Sequence, residues 1–426
     1  MVEILESTLV VPSEETPNHK LWLSNLDQVT SRAYTPTVYL YRSKGEPDFF
    51  SVQSLKSSLA KALVPFYPLA GRLGLDQNGR VEINCTGDGV PFVVARSGST
   101  IDDFKDFAPS QEIRDSFAPP VESVDPPCIL VAFQVTYLRC GGVVLGVISH
   151  HNALDGKSAL FFIKIFSAIT RGGIDDAALI PLPFFDHTIL SARSLPTILF
   201  DHDDYSTNIF QSNSSSPHLT TVLKLSKDQI QTIKNTCGDD NSRVSTFRAI
   251  VAYVWKIACI ARGLKGNDET QLYMAVDVRN RLNPPLPQNY MGNATLRTKA
   301  VATVEEIVAN SPSLGVERMK TAIHKITDEF VKSFIDYLDT SADLAGLTKR
   351  GGLPRTSLFA VSWLGLPIHD ADFGWGMPEL MARAQLYGCG CVYLMNSPEE
   401  DGGVAVVVAL EEDSMGCFKK IFYEQM

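Results

Sequence analysis

Apolar residues recur at helical spacing in three segments of the chain. Residues 54–63 place leucines four positions apart on one face, and Pro65 marks the end of that predicted helix. Residues 158–170 have the broad apolar face of an amphipathic helix. Residues 245–262 form a third apolar helix, which begins with a Ser/Thr pair suited to capping its first turn.

Other apolar segments have the length and composition of strands. Residues 131–137 and 143–148 are rich in valine and isoleucine, and the glycines at 141–142 predict a turn that pairs them. Residues 272–276 predict a further strand, and several short strands are expected between 358 and 410. The chain therefore mixes helices and strands in both halves, which predicts a mixed α/β protein.

The length and one polar segment predict two domains. A chain of 426 residues exceeds what one hydrophobic core usually supports. Residues 201–218 form a polar, turn-forming stretch near the middle, with little to bury. We therefore predict an N-terminal domain over 1–195, a linker over 196–220 and a C-terminal domain over 221–426. Whether the segment 355–380 packs with the N-terminal domain stays open.

Composition and charge exclude several classes of function. The net charge of −10 and the pI of 5.3 argue against binding to nucleic acid or to an anionic membrane, because both select basic surfaces. The most apolar stretch, 128–149, is interrupted by Gln134 and Arg139, which favours buried strands over a membrane span. The acidic N-terminal residues are unlike those of a signal peptide. We expect a cytoplasmic protein.

The eight cysteines show neither a disulfide framework nor zinc-ligand spacing. We therefore expect reduced thiols and no metal site.

A heptapeptide after the strand 143–148 carries the first candidate chemistry. It reads His-His-Asn-Ala-Leu-Asp-Gly and begins at His150. An imidazole that titrates near neutrality suits the removal of a proton from an attacking alcohol or amine, so His151 is a candidate general base. Asp155 could orient His151 as in a catalytic triad, or could stabilise the loop by pairing with a cation. No Gly-x-Ser-x-Gly elbow supplies a triad nucleophile, which favours direct transfer, and His150 is expected to be structural.

A pentapeptide near the C-terminus, Asp372-Phe373-Gly374-Trp375-Gly376, has neither helical nor strand periodicity. Two glycines around a tryptophan predict a tight loop whose backbone approaches another part of the molecule closely. The pentapeptide contains no obvious catalytic group, so a structural role is expected.

These two motifs together resemble those of the BAHD acyltransferases, plant enzymes that transfer acyl groups from coenzyme A. Three further segments at 67–72, 279–287 and 292–293 also resemble signatures of that family, in the same order along the chain. The resemblance covers the whole chain. It implies two domains like chloramphenicol acetyltransferase, each a mixed sheet with flanking helices, joined by a long crossover. It also implies a solvent channel between the domains with His151 at its centre.

The resemblance implies a role for several residues. His151 becomes the base that deprotonates the acceptor, and Asp155 turns away to pair with Arg279 or, alternatively, with Arg281. Trp363 would lie near the thioester oxygen, although a buried core tryptophan is an equal interpretation. The pair Ser245 and Thr246 would contact coenzyme A, although helix capping explains both residues equally well. Acyl-CoA is then a co-substrate, and no permanently bound cofactor is implied.

Within the family, the segments 35–39 and 367–371 resemble the hydroxycinnamoyltransferases of the shikimate and quinate type. That branch has Thr-Ser-Trp, one residue and then Arg, whereas this chain has Val361 and Gly365 at the two ends of the same pattern. The arginine of that branch pairs with the acceptor's carboxylate, which glycine cannot do. Shikimate and quinate are therefore not the expected acceptors. The Trp-Leu-Gly pattern at 363–365 is similar to that of relatives that acylate amines, so we expect an aliphatic or aromatic amine acceptor that yields a hydroxycinnamic amide. Tyr34, Val361 and Gly365 are assigned to the acceptor pocket.

Three alternatives stay open from the sequence. The chain could acylate an alcohol and form an ester, including esters of the shikimate or quinate type. It could be an α/β hydrolase, which the missing serine elbow argues against. It could also be a non-catalytic protein that keeps the fold. Under each alternative the partners are small molecules, and a monomer is expected.

Overall fold

The computed structural model describes residues 2–172, 182–205, 217–238, 244–341, 344, 353–386, 388–397 and 402–426. The chain forms two compact units, each built from three segments. Unit 1 comprises Met1–Ser191, Leu286–Ala294 and Leu366–Gln385, and unit 2 comprises Ala192–Pro285, Thr295–Gly365 and Leu386–Met426.

The sequence segments that make up these units differ from those of the predicted domains. Two segments from the second half of the sequence, Leu286–Ala294 and Leu366–Gln385, belong to unit 1. The described part of the predicted linker belongs to unit 2, and its residues 206–216 lie outside the described residues. The sequence bounds of the folding domains stay a prediction.

Strands and helices are spread along the whole described chain. The strands, in chain order, are β1 (Val2–Val10), β2 (Lys20–Trp22), β3 (Tyr34–Tyr41), β4 (Arg72–Leu75), β5 (Val81–Asn84), β6 (Val90–Ser97), β7 (Cys128–Ile129), β8 (Val131–Leu138), β9 (Val143–His150), β10 (His218–Leu225), β11 (Glu269–Asp277), β12 (Thr295–Thr303), β13 (Ser357–Ser362), β14 (Leu380–Arg383), β15 (Cys391–Asn396) and β16 (Val404–Glu411).

The helices, in chain order, are α1 (Asn25–Gln28), α2 (Val52–Ala62), α3 (Gln111–Phe117), α4 (Gly156–Gly172), α5 (Lys227–Asn235), α6 (Thr246–Ala261), α7 (Val304–Ala309), α8 (Ser313–His324), α9 (Asp328–Thr340) and α10 (Glu412–Glu424). Short 3₁₀ turns occupy Tyr67–Ala70, Ile101–Phe104, His187–Leu190 and Asp203–Tyr205. The helices predicted over 54–63, 158–170 and 245–262 are confirmed as α2, α4 and α6.

Unit 1 is built on a mixed sheet whose described strands lie in the order β1-β6-β8-β9-β3-β14. Strands β6 and β8 run parallel, and the other neighbouring pairs are antiparallel. The predicted pairing of 131–137 with 143–148 is confirmed by β8 and β9. Every residue of β9 is buried, which is why its sequence is apolar without alternation.

Helix α4 packs its apolar face on this sheet. The rings of Phe162 and Phe166 on α4 lie 6.2 and 5.4 Å from the ring of Phe133 on β8. Helix α2 packs against α4 in turn. A second, antiparallel sheet in unit 1 has the described order β2-β5-β4-β7. Helix α4 follows directly on β9 through a short turn, so the sheet and the helix together fix the position of residues 151–155.

Unit 2 is built on another mixed sheet, whose described strands lie in the order β10-β16-β15-β13-β11-β12. Strand β13 runs parallel to both β11 and β15, and the other pairs are antiparallel. Helix α6 lies in the core of this unit. Its Trp255 is fully buried, and the indole N–H donates to the hydroxyl of Thr270 at 2.8 Å.

Among the helices that the structure describes, none combines the length and the apolar character needed to cross a bilayer. The described residues also hold no group of three or more His, Cys, Asp or Glu side chains arranged to bind a metal ion.

Candidate active site

The candidate site in unit 1 begins where β9 ends. His150 is the last residue of β9 and lies opposite Tyr34 of β3 in the sheet register. His151 follows in the turn, and its backbone N–H donates to the carbonyl of Ala33 at 2.8 Å. Helix α4 begins only five residues later, at Gly156. The two adjacent histidines are thus held by the sheet on one side and by the helix on the other.

His150 has a structural role, as its sequence position predicted. Its side chain is fully buried, with Nε2 at 2.9 Å from the carbonyl of Val124. Its Nδ1 accepts a hydrogen bond from the backbone N–H of Asn152 at 3.3 Å, so both ring nitrogens are occupied. The ring of Tyr34 packs edge-on against the His150 ring, at 5.0 Å between centroids.

Tyr34 itself is only 3% exposed, and its hydroxyl donates to the carbonyl of Ile129 at 2.8 Å. These contacts fix the start of β3 against β7 and β9. The assignment of Tyr34 to the acceptor pocket stays a prediction.

His151 is partly exposed, and its environment favours the neutral imidazole. Burial lowers the pKa of His151 below its ordinary value, and the positive charge of Arg383 acts in the same direction. A backbone hydrogen bond, the nearby Asp155 carboxylate and Asn293 oppose this shift in the pKa without cancelling it. The lowered pKa favours the neutral imidazole, which is the state that a general base requires.

Asn293 contacts both the His151 ring and the turn that carries it. Its Oδ1 lies 3.2 Å from His151 Nδ1. Its Nδ2 donates to the carbonyls of His151 at 2.8 Å and Asn152 at 3.3 Å. The same Nδ2 lies 2.9 Å from Oδ1 of Asp27. Asn293 is fully buried, so each of these polar contacts replaces a contact with water.

Asp27 is a fully buried carboxylate on the far side of Asn293 from His151. Its Oδ1 accepts from the backbone N–H of Asn293 at 2.7 Å as well as from the side-chain amide. Its Oδ2 accepts from the backbone N–H and the hydroxyl of Ser24, at 2.9 and 2.6 Å, which caps α1. The Nδ1 of His187 lies 2.8 Å from the same oxygen. Five donors therefore surround the two carboxylate oxygens.

Asp155 is 3% exposed and ties together two backbone segments of unit 1. Its Oδ1 accepts from the backbone N–H of Ser158 at 2.9 Å, in the manner of a helix N-cap on α4. Its Oδ2 accepts from the backbone N–H of Ala294 at 3.1 Å. Ser158 adds a second link, because its hydroxyl donates to the carbonyl of Gly292 at 2.9 Å. The turn after β9 is thereby joined to the segment Leu286–Ala294.

Gly292 is required where it stands in that segment. Its φ of +141° is rare for residues with a side chain. A Cβ at this position would lie 2.5 Å from Cε1 of His187, which is too close for any contact. The sequence signature Gly292-Asn293 thus combines a position without space for a side chain and a neighbour that reaches His151.

The Asp-Phe-Gly-Trp-Gly pentapeptide forms a tight loop in unit 1. Oδ1 of Asp372 accepts from the backbone N–H groups of Gly374 at 2.8 Å and Gly376 at 3.0 Å. Both glycines have positive φ, +104° and +99°, so the glycines are needed for the turn itself. Phe373 is buried against Phe166 of α4, at 5.0 Å between ring centroids.

The loop is also anchored by an aromatic cluster and by strand β3. Trp375 packs 5.1 Å from the ring of Phe50, and the hydroxyl of Tyr41 donates to the carbonyl of Ala371 at 2.7 Å. These contacts give the loop the structural character that its composition suggested.

The remaining predicted site residues belong to unit 2. Val361 lies in β13 opposite Tyr393, and Trp363 follows the end of that strand. Trp363 is 6% exposed, its backbone N–H donates to the carbonyl of Leu394, and its ring meets the Tyr393 ring edge-on at 6.1 Å. Gly365 is exposed and has a φ of +75°. Apart from its two chain neighbours, no residue in the described part of the chain has an atom within 4 Å of the place where a Cβ would stand.

Ser245 and Thr246 stand at the start of α6. The Ser245 hydroxyl accepts from the backbone N–H of Arg248 at 3.3 Å, so the capping interpretation accounts for Ser245. Thr246 is the first residue of the helix. Their contact with coenzyme A stays a prediction.

The two candidate arginine partners of Asp155 have contacts of their own within unit 2. Arg279 is 1% exposed, and its Nη1 lies 3.3 Å from Oδ1 of Asp277. Nη1 of Arg281 donates to the carbonyls of Ile323 and Ile326, at 3.1 and 2.7 Å. The pairing of Asp155 with either arginine stays a prediction.

Sequence reasoning missed Asp27, His187 and Arg383, and it used Asn293 only as part of a family signature. Ser24 and Asp27 have the spacing of a capping box, which indicates a helix start and nothing about a distant histidine. No local pattern places Asn293 beside His151, because the two residues lie 142 positions apart.

Comparison with known proteins supports the prediction that the chain is a transferase. A family model described as the Transferase family matches residues 1–425. A putrescine hydroxycinnamoyltransferase 1 of Oryza sativa subsp. japonica is 47% identical, over 100% of this chain and 99% of its own length. A shikimate O-hydroxycinnamoyltransferase of Nicotiana tabacum is 39% identical, over 99% of both chains.

Among solved structures, that of vinorine synthase is similar to this chain with a TM-score of 0.74 and 26% sequence identity. The match covers 98% of this chain and 96% of that structure. The predicted fold class, two domains like chloramphenicol acetyltransferase that each have a mixed sheet and flanking helices, is confirmed by this likeness and by the two mixed sheets described above.

Proposed function

Since this chain belongs to the BAHD acyltransferase family, an acyl-CoA-dependent group of enzymes, we propose that it transfers a hydroxycinnamoyl group to an amine acceptor. The product would be a hydroxycinnamic amide. The observation that carries this proposal is the 47% identity, over the whole chain, with a relative named as a putrescine hydroxycinnamoyltransferase. Gly365, which stands where the shikimate and quinate branch has an arginine, supports the same choice of acceptor.

The proposed chemistry is a direct transfer with His151 as the general base. Nε2 of His151 takes a proton from the acceptor nitrogen as that nitrogen attacks the thioester carbonyl. The carbonyl becomes a tetrahedral oxyanion, which collapses by breaking the C–S bond. The coenzyme A thiolate leaves and takes the proton from the imidazolium, so His151 returns to its starting state. The lowered pKa of His151 supports this role, because the neutral base is present before the acceptor binds.

Asp155 is proposed to hold the loop rather than to exchange protons. Its two oxygens accept from the backbone N–H groups of Ser158 and Ala294, which are contacts of position and not of proton transfer. Trp363 is proposed as the donor near the oxyanion. Its burial and the edge-on contact of its ring with the Tyr393 ring support a fixed indole orientation.

The surroundings of Gly365 support an acceptor without a carboxylate. Glycine supplies no cation at this exposed position, whereas an arginine would pair with a carboxylate by a charge-assisted bond. Among the described residues, none apart from the chain neighbours comes within 4 Å of a Cβ built at this position, which supports the use of a substitution there as a test. The φ of +75° places backbone strain on any side chain introduced there.

A pair of variants at Gly365 tests this proposal with p-coumaroyl-CoA as the donor and separate amine and shikimate acceptors. We expect Gly365→Arg to lower kcat/KM for the amine and to raise it for shikimate. Gly365→Ala is the matched control, because it carries the backbone strain of a side chain at positive φ without the charge. Unchanged acceptor preference in Gly365→Arg, or an equal change in both variants, would contradict the role of this position.

A second candidate is O-acylation of an alcohol, and the shikimate O-hydroxycinnamoyltransferase relative at 39% identity favours it. Formation of ester products alone, with no amide from any amine tested, would replace the first proposal by this one.

We also propose that the enzyme works as a monomer in the cytoplasm, with acyl-CoA as a co-substrate and no permanently bound cofactor. All eight cysteines are free thiols, which suits a reducing compartment. Light scattering coupled to size-exclusion chromatography tests the oligomeric state, and a mass near twice 46.8 kDa would contradict the monomer.

A further inference from the structure

A buried carboxylate in unit 1 has no part in the chemistry proposed above. Asp27 is fully buried, does not touch His151, and is joined to it through a single side chain, that of Asn293. A carboxylate removed from water needs several donors, and Asp27 has five. The way these donors divide between its two oxygens indicates two separate roles.

One oxygen serves the local helix. Oδ2 accepts from the backbone N–H and hydroxyl of Ser24 and lies beside Nδ1 of His187. The bonds to Ser24 cap α1 and explain why an acidic residue stands at this position of a capping box. They would exist whether or not a catalytic histidine were nearby.

Within the described part of the chain, the hydrogen bonds to the other oxygen come from Asn293. Oδ1 accepts from its backbone N–H at 2.7 Å and from its Nδ2 at 2.9 Å. The Nδ2 group is surrounded by three acceptors, namely Oδ1 of Asp27 and the carbonyls of His151 and Asn152. A flipped amide would place Oδ1 of Asn293 against three oxygens at these distances. The amide is therefore held in one orientation, with its oxygen directed at the His151 ring.

This orientation specifies the tautomer of His151. The oxygen of an amide only accepts hydrogen bonds, and it lies 3.2 Å from His151 Nδ1, so Nδ1 must carry the proton. A neutral imidazole has one N–H, which leaves the lone pair on Nε2. We propose that Asp27 is a positioning residue that acts through Asn293 to keep His151 in the Nδ1–H tautomer, with Nε2 as the basic atom.

A further bond fixes the turn on the same support. Nδ2 of Asn152, the residue after His151, donates to the backbone carbonyl of Asp27 at 2.6 Å and to that of Thr30 at 3.1 Å. The segment 27–30 thus holds both the ring, through Asn293, and the backbone next to it. A base held by such supports loses little orientation between turnovers, and small displacements of a catalytic group are costly to rate.

This inference rests on the proposed function, because a positioning role has meaning only if His151 is the base. Asp27→Asn is the main variant, since it keeps the size of the side chain and replaces one acceptor oxygen with a donor. Ser24→Ala is the matched control, because it removes the hydroxyl from Oδ2 and weakens the cap of α1 without touching the bonds to Asn293.

The test measures kcat and KM for amide formation and the tautomer of His151 by two-bond ¹H–¹⁵N correlation of ¹⁵N-histidine-labelled protein. His151→Ala identifies the signals that belong to His151. In the wild type we expect a pyrrole-like Nδ1 and a pyridine-like Nε2. In Asp27→Asn we expect a mixture of tautomers and a loss in kcat of about 10-fold to 100-fold, with little change in the KM for acyl-CoA.

In Ser24→Ala we expect a lower melting temperature with the tautomer and kcat of the wild type. Asn293→Ala, which removes the link itself, should reproduce the kinetic effect of Asp27→Asn.

Two results would overturn the inference. One is a pyridine-like Nδ1 of His151 in the wild type, which is observed without any variant of Asp27. The other is an Asp27→Asn protein with unchanged kcat and tautomer while His151→Ala is inactive, which leaves the proposed function standing. If His151→Ala itself retains transfer, the proposed function fails, and the positioning of a base fails with it.

Discussion

At the scale of single residues, the two members of the His-x-x-x-Asp motif have separate surroundings. His151 lies beside Asn293 and is partly exposed. Asp155 is buried, and each of its side-chain oxygens accepts a hydrogen bond from a backbone N–H group. Because the Asp155 side chain caps α4 and also binds the backbone of Ala294, it has little freedom to orient the His151 ring. Within unit 1 it is Asn293, and not Asp155, that contacts His151 Nδ1.

The pH dependence of transfer follows from the lowered pKa of His151. The base is active when neutral, so kcat/KM is expected to be flat near neutrality and to fall as the pH drops through the pKa of His151. Because burial lowers that pKa, the midpoint of the acidic limb should lie below the ordinary value of about 6.5. A pH series of kcat/KM for acyl-CoA measures it, and a midpoint above 6.5 would show that another group controls the acidic limb.

Removal of the Asp155 side chain should lower stability as well as activity. Asp155→Ala deletes the cap of α4 and leaves the backbone N–H of Ala294 without its acceptor. These losses amount to about 1 kcal/mol and about 1–3 kcal/mol in the free energy of unfolding. Urea unfolding measures the sum, and Asp155→Asn, which keeps one oxygen, should lose less. An Asp155→Ala protein of wild-type stability without activity would contradict the structural role.

At the scale of elements, the fold depends on short segments that hold turns in place. The pentapeptide loop packs on α4 and β3 through Phe373 and the carbonyl of Ala371. Its shape depends on one carboxylate oxygen that accepts from two backbone N–H groups. The nearby Arg171 lies 3.7 Å from the other oxygen of Asp372, and a half-exposed ion pair of that kind contributes little to stability.

A pair of substitutions at Asp372 separates the loop's hydrogen bonds from its charge. Asp372→Ala removes the acceptor of Gly374 and Gly376 and should cost about 1–2 kcal/mol in the free energy of unfolding. Asp372→Asn keeps an oxygen in that place and should stay close to the wild type. Calorimetry measures both, and an equal loss of stability in the two variants would assign the role to the charge.

Many of the helices and strands were predictable from the sequence. The glycine pair between two apolar runs predicted the β8–β9 hairpin, and the leucine spacing of 54–63 predicted α2, because local periodicity decides both. The contacts of Asn293 and Asp27 with the His151 turn were not predictable, since they join residues more than 100 positions apart. The capping box at Ser24 predicted a helix start, and the tertiary fold adds the contacts of Asp27 with Asn293 and His187.

At the scale of the whole molecule, the described structure consists of two compact units with a mixed sheet in each. Their discontinuity in sequence was also beyond local patterns. The segments Leu286–Ala294 and Leu366–Gln385 return to unit 1 for reasons of packing and hydrogen bonding, such as the Gly292 contact with Ser158, that no periodicity reveals. The chain length and the polar segment near the middle predicted two domains but not which segments build each unit.

The proposed acceptor is inferred from the whole chain. It is based on sequence similarity along the full length and on the residue at position 365. One relative of this chain is named for putrescine, an amine, and another is named for shikimate, a carboxylic acid that carries hydroxyl groups. The higher identity and the absence of an arginine at 365 both favour the amine.

A competition assay distinguishes transfer to an amine from transfer to shikimate. The protein is supplied with p-coumaroyl-CoA and with equal concentrations of putrescine and shikimate, and the products are separated and identified by mass spectrometry. His151→Ala serves as the control for background aminolysis of the thioester. We expect p-coumaroylputrescine as the main product, and we expect His151→Ala to form it no faster than the uncatalysed reaction. A predominance of p-coumaroylshikimate, or amide formation that survives in His151→Ala, would contradict the proposed function.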